Sequence, residues 1–97
     1  MTRAFFHWEK DEEEKKQYSL DFVNYMDIGE SVDTVVVEVA LDGNDVADMI
    51  DSTSFSGTEV FIILDAEGEA DDIYDVRVKV VSDNGMVYVQ EGKLNIW

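Results

Sequence analysis

The carboxylates are the first residues to weigh for chemistry, because they cluster. Asp42, Asn44 and Asp45 in "DGND", and Asp65, Glu67, Glu69, Asp71 and Asp72 in "DAEGEADD", offer the oxygen ligands that calcium takes. Neither run matches the D-x-D/N-x-D/N-G spacing of an EF-hand loop. A chain with 23 Asp and Glu against 7 Lys and Arg also clusters acids in its loops by chance, so solvated loop acids are expected and no metal site is assigned. His7 is the only histidine and cysteine is absent, which excludes thiolate zinc sites and disulfides. Ser54 and Ser56 lie in "SFSGT", which lacks the leading glycine of a G-x-S-x-G elbow, and turn chemistry accounts for both. Glycines 29, 43, 57, 68, 85 and 92 never approach a G-x-G-x-x-G or Walker A spacing. A carboxylate pair for glycoside hydrolysis would need a substrate cleft, for which 97 residues leave little room. No catalytic residue and no cofactor is expected.

The elements that would position any site read as strands. "YSLDF" puts Tyr18, Leu20 and Phe22 on one face and Ser19 and Asp21 on the other. "DTVVVEVAL" sends Val35, Val37, Val39 and Leu41 inward, with Val36 breaking the outer polarity. The unbroken apolarity of "TEVFIIL" suits a strand covered on both sides. "IYDVRVKVV" alternates strictly and leads through Asn84-Gly85, the preferred pair for a type I′ turn, into "MVYVQ". Residues 73–81 and 86–91 are therefore expected to form an antiparallel hairpin. "KLNIW" reads as a separate short strand after an interruption or bulge at Gly92. "DIGESVD", "LDGND", "STSFSGT" and "DAEGEADD" read as turns, and "NDVADMIDS" as a turn or short strand. With no amphipathic crossover helix, the expectation is all-β: one small antiparallel sandwich rather than a parallel sheet.

Charge limits the partners. A formal net charge of -16 leaves almost no cations to displace phosphate counterions, so neither nucleic acid nor an anionic membrane is an expected partner. No apolar run approaches the roughly 18–20 residues of a membrane helix. Trp8 runs straight into Glu9 and Lys10, which argues against a cleavable signal peptide.

The segment before the first alternation is the remaining candidate. Phe5, Phe6 and Trp8 form an aromatic knot, followed by eight charged residues from Glu9 to Lys16. Large aromatics outside a core tend to mark interfaces. Residues 1–16 are accordingly expected as an extended docking arm and 17–97 as the folded domain. Phe5, Phe6 and Trp8 would be its anchors, with Lys10 and Asp11 fixing register by charge pairing.

The order Phe6, Trp8, Lys10, Asp11, Glu14, Tyr18, Asp21, Phe22 resembles the opening of the immunoglobulin-like fibre–tail adaptor proteins of tailed phages, encoded among head-to-tail and tail-fibre genes. Tyr74, Val76, Val80 and Gly85 match the hairpin that closes those proteins, while Glu12 stands where the family usually has proline. The resemblance implies an immunoglobulin-like sandwich and a non-enzymatic virion role. Portal, neck, tail or fibre subunits would be its partners, with several copies in a symmetric assembly. It would fold in the host cytoplasm and reside in the virion tail or neck. Two other readings compete. The acids could mimic phosphates and block a DNA-binding enzyme, or Tyr88 and Trp97 could stack on sugars.

Overall fold

The computed structural model describes residues 5–66 and 69–97, apart from the side chains of Phe5 and Ala47. The period-two segments form strands as their alternation requires: β1 (Phe5–Lys10), β2 (Lys16–Asp21), β3 (Val32–Leu41), β4 (Asn44–Asp45), β5 (Ile50–Ser56), β6 (Glu59–Leu64), β7 (Ile73–Ser82) and β8 (Val87–Ile96). They build a five-stranded sheet in the order β1-β8-β7-β3-β4 and a three-stranded sheet in the order β2-β6-β5. One apolar core lies between them. Phe22, Val39, Val60, Ile62, Leu64, Val78, Val80 and Leu94 are wholly buried in it, with Tyr18, Tyr74 and Val76 close behind. Removing such a side chain from water contributes about 1.5–3 kcal/mol, so the inner faces of β2, β6 and β7 carry most of the drive to fold. Among the described residues no helix is long and apolar enough to cross a membrane.

Several expectations need correction. The pairing is not all antiparallel: β1, within the segment expected as an arm, lies alongside β8 in parallel, with Trp8 opposite Leu94 and Lys10 opposite Ile96. The sheet is therefore mixed. Parallel pairing is open to β1 because the whole domain separates the two strands, supplying the long connection a parallel pair needs. β8 does not stop at Gly92. That residue pairs regularly with Val76 on one side and Phe6 on the other. A Cβ there would overlap the Phe6 ring and carbonyl, so glycine serves a close strand approach, not a bulge.

The β7–β8 hairpin forms as expected, but its turn differs. Gly85 is left-handed (φ 86°) while Asn84 is not, and the Gly85 N–H donates to the Ser82 carbonyl at 3.0 Å. The Ser82 N–H donates to Met86 C=O at 2.8 Å, closing a three-residue loop with glycine in its left-handed position. β6 is central in its sheet and buries one face only; Phe61 and Ile63 stay half-exposed on the other. "IDSTSFS", read mostly as turn, is the full strand β5.

Candidate docking interface

In β1, Phe6, Trp8 and Lys10 face the core side, and His7 and Glu9 face solvent. Phe6 and Trp8 are half-buried, Lys10 is buried, and His7 and Glu9 are exposed. The Trp8 ring lies 4.3 Å from Phe6 and 4.3 Å from Tyr18, nearly parallel to the latter. Tyr18 belongs to the other sheet, and its hydroxyl donates to the Glu9 carbonyl at 2.6 Å. This contact fastens β1 across the core. Burial, and then the Glu14 and Glu9 carboxylates, push the Tyr18 phenol up to about 12.

Lys10 and Asp11 build a turn. The buried Lys10 ammonium donates to the carbonyls of Asp11 (2.9 Å) and Glu14 (2.8 Å). The Asp11 N–H donates to the Glu14 carboxylate at 2.8 Å, and the Glu14 N–H returns to the Asp11 carbonyl at 3.0 Å. The Asp11 carboxylate accepts the Glu13 N–H at 2.9 Å. Asp21 likewise accepts from the Val23 N–H (2.9 Å) and the Thr58 hydroxyl (2.7 Å). Each motif residue from Phe6 to Phe22 thus has an internal structural task. Lys10 and Asp11, expected to fix register by charge pairing, have their polar groups engaged within the chain, because the chain reversal between β1 and β2 leaves carbonyls that need a donor.

Asp27 and Glu30 repeat the same device at a second turn, which the sequence reading missed. The Asp27 N–H donates to Glu30 at 2.9 Å, and the Glu30 N–H to the Asp27 carbonyl at 3.0 Å. The Glu30 carboxylate also accepts the Ser82 hydroxyl at 2.5 Å and the Tyr88 phenol at 2.9 Å. The Ser82 bond, foremost, and those from Asp27 and Tyr88 hold its carboxyl below the usual range although burial opposes them. Tyr88 is therefore committed to a structural carboxylate, and burial and this bond raise its phenol. Trp97 is 67% exposed. The only hint in the sequence was the shared Asp-x-x-Glu spacing of residues 11–14 and 27–30.

The outward face of the five-stranded sheet carries a charge grid. Arg77 lies between Glu38 (3.8 Å) and Glu91 (3.5 Å), and Lys93 pairs with Asp75. His7 sits at the end of the Lys93 row, its Nε2 3.3 Å from the Asn95 amide and 3.6 Å from Glu9. Such exposed pairs contribute little to stability, typically about 0–1 kcal/mol each. Toward the Gly85 loop the face turns apolar around Lys79, where Val36 and Val87 are 51% and 54% exposed.

Among the described residues nothing resembles a reaction centre. Ser54 and Ser56 lie on β5, in the other sheet from His7. Among the described residues no group of three or more His, Cys, Asp or Glu could hold a metal ion; Glu67 of the second acidic run lies outside them. Residues 10–95 match a family model described as Podophage GP4 fiber-tail adaptor protein gp77. The chain belongs to this family. Among curated proteins, none matches it. The protein is thus a non-enzymatic fibre–tail adaptor of the phage virion. The adaptor match runs from Lys10 to Asn95, so it takes in the Asp11–Glu14 turn and all of the buried apolar core except Ile96, with Phe6 and Trp8 just before it.

Proposed function

We propose that this adaptor is an immunoglobulin-like sandwich that docks tail, neck, portal or fibre subunits through its N-terminal segment and the sheet surface beside it. Several copies would sit in a symmetric ring after folding in the host cytoplasm. The observation that supports this reading is that β1 is an outermost strand with one edge unpaired among the described strands. Trp97 N–H donates to Lys10 C=O (3.0 Å) and Glu12 N–H to Trp97 C=O (3.1 Å), so the even residues of β1 turn their backbone groups toward β8. By period two, the backbone groups of His7 and the N–H of Glu9 then point outward, available to a partner, while the Glu9 carbonyl already accepts the Tyr18 hydroxyl. Half-buried Phe6 and Trp8 supply the apolar part of the surface, with Phe5, whose side chain lies outside the described ones, proposed as a third anchor, while Lys10 and Asp11 hold the turn that presents it. Repetition around a symmetric assembly lets a small interface hold.

Deleting residues 1–4 together with Phe5→Ser tests the reading, because it spares the Phe6–Trp8–Tyr18 stack. Incorporation into adaptor-free tails, scored by sedimentation, is expected to fall at least about tenfold with the melting temperature unchanged. Normal incorporation by this variant overturns the proposal.

A further inference from the structure

β5 is unusual for an edge strand. Among the described strands it pairs with β6 alone, and six of its seven residues are exposed. Natural edges are blunted by proline, lysine, shortness or bulges. β5 has no proline or lysine, and its irregularity falls between Ile50 and Ser52, leaving Ser52–Ser56 regular. Its single charge, Asp51, pairs with Lys15 at 3.3 Å.

The edge geometry follows from the turn. Gly57 (φ 61°) is the first central residue of the two-residue loop to β6, the position glycine takes in a type II′ turn. Such a loop makes Ser56 and Glu59 a hydrogen-bonded pair, and by alternation Ser54–Phe61 and Ser52–Ile63 as well. The N–H and C=O groups of Thr53 and Phe55 therefore point to the unpaired edge. Beside them lie the small side chains of Ser52 and Ser54 and the ring of Phe55, 41% exposed.

Charge selects the occupant. From Gln17 to Val76 the sequence has sixteen Asp and Glu and no Lys, Arg or His. β5 and β6 lie wholly inside that stretch, whereas Arg77, Lys79 and Lys93 sit on the outward face of the other sheet. A second copy would bring another net charge of -16 to the same edge, and nucleic acid would be repelled likewise. An extended cationic peptide meets no such barrier, and backbone pairing supplies its affinity. We propose that the free edge of β5 takes up an extended Lys- or Arg-bearing segment of the fibre or tail partner as a fourth strand of the three-stranded sheet. The inference rests on the adaptor reading only for which protein donates the strand.

The full chain, labelled with nitrogen-15, is titrated with two blocked decapeptides, one alternating Lys and Val and one alternating Glu and Val. The Lys peptide is expected to shift and protect the amides of Thr53 and Phe55, and the Glu peptide to leave them unmoved. Thr53→Pro removes an edge donor without breaking the β5–β6 ladder and should weaken the Lys peptide at least about tenfold. If that variant loses its circular dichroism, Phe55→Lys replaces it, placing a cation on the edge. Deleting residues 1–4 should leave peptide binding unchanged, so the β1 proposal and this one fail separately. Diffuse shifts over all acidic loops, full affinity in both variants, or a concentration-dependent dimer lost in Thr53→Pro would each overturn the inference.

Discussion

β1 and β5 are both edge strands, and they are held in opposite ways. β1 is fastened by side chains: Trp8 stacks on Tyr18, the Tyr18 hydroxyl reaches the Glu9 carbonyl, and Lys10 is buried beneath the turn that follows. β5 is held by its ladder to β6, with its side chains left mostly in water. An edge strand anchored through its side chains resists exchange, whereas one anchored mainly through its backbone keeps its outer amides ready for another strand.

The largest expected effect comes from Trp8→Ala. It removes the ring between Phe6 and Tyr18 and should cost about 2–4 kcal/mol by urea denaturation, discounted from fully buried tryptophans because Trp8 is half-exposed. Phe55→Ala on β5 should cost under about 0.5 kcal/mol, as exposed positions do. Equal losses would erase the contrast. Gly92→Ala comes next, at about 1–3 kcal/mol, because the new methyl meets the Phe6 ring and backbone. Hydrogen exchange should quicken at Trp8 and Lys10 while β5 is unaffected.

The smallest effects are pH-dependent. The Tyr18 phenol titrates above its ordinary value, so its contribution is complete below pH 10 and is lost as pH rises toward about 12. β1 amides should lose protection over that range before those of β7, and Tyr18→Phe should remove the alkaline step. Glu30, whose carboxyl is depressed, works in the other direction. Its contribution is present above the ordinary carboxylate range and is lost as pH falls through its lowered value. Glu30→Gln should flatten the acid limb of melting temperature against pH and leave both edges unchanged.

Legibility followed the same division. Tyr18, Leu20 and Phe22, and the alternating Tyr74 to Val80, announced their buried faces because strand burial has period two. Phe6, Trp8 and Lys10 also keep period two, but a lysine at the inner position and the acids beyond it hid that β1 is a strand of the sheet within the expected docking arm. A buried lysine becomes intelligible only once the Asp11 and Glu14 carbonyls are seen converging on it. β5 gave little signal: "NDVADMIDS" admitted a short strand at its start, but "STSFS" has the composition of a turn, and it is a strand because β6 offers it a ladder.

The sequence alone therefore settled the all-β class, the core faces of β2, β3 and β7, the absence of thiol chemistry, and the likeness to fibre–tail adaptors. Local alternation and short motifs carry those facts. Tertiary structure decided that β1 runs parallel to β8, that Gly92 makes room for Phe6, that Lys10 is internal, and that β5 is an open edge. Each of these depends on a neighbour distant in the chain, and an edge strand is defined by the partners it has and lacks more than by its own residues.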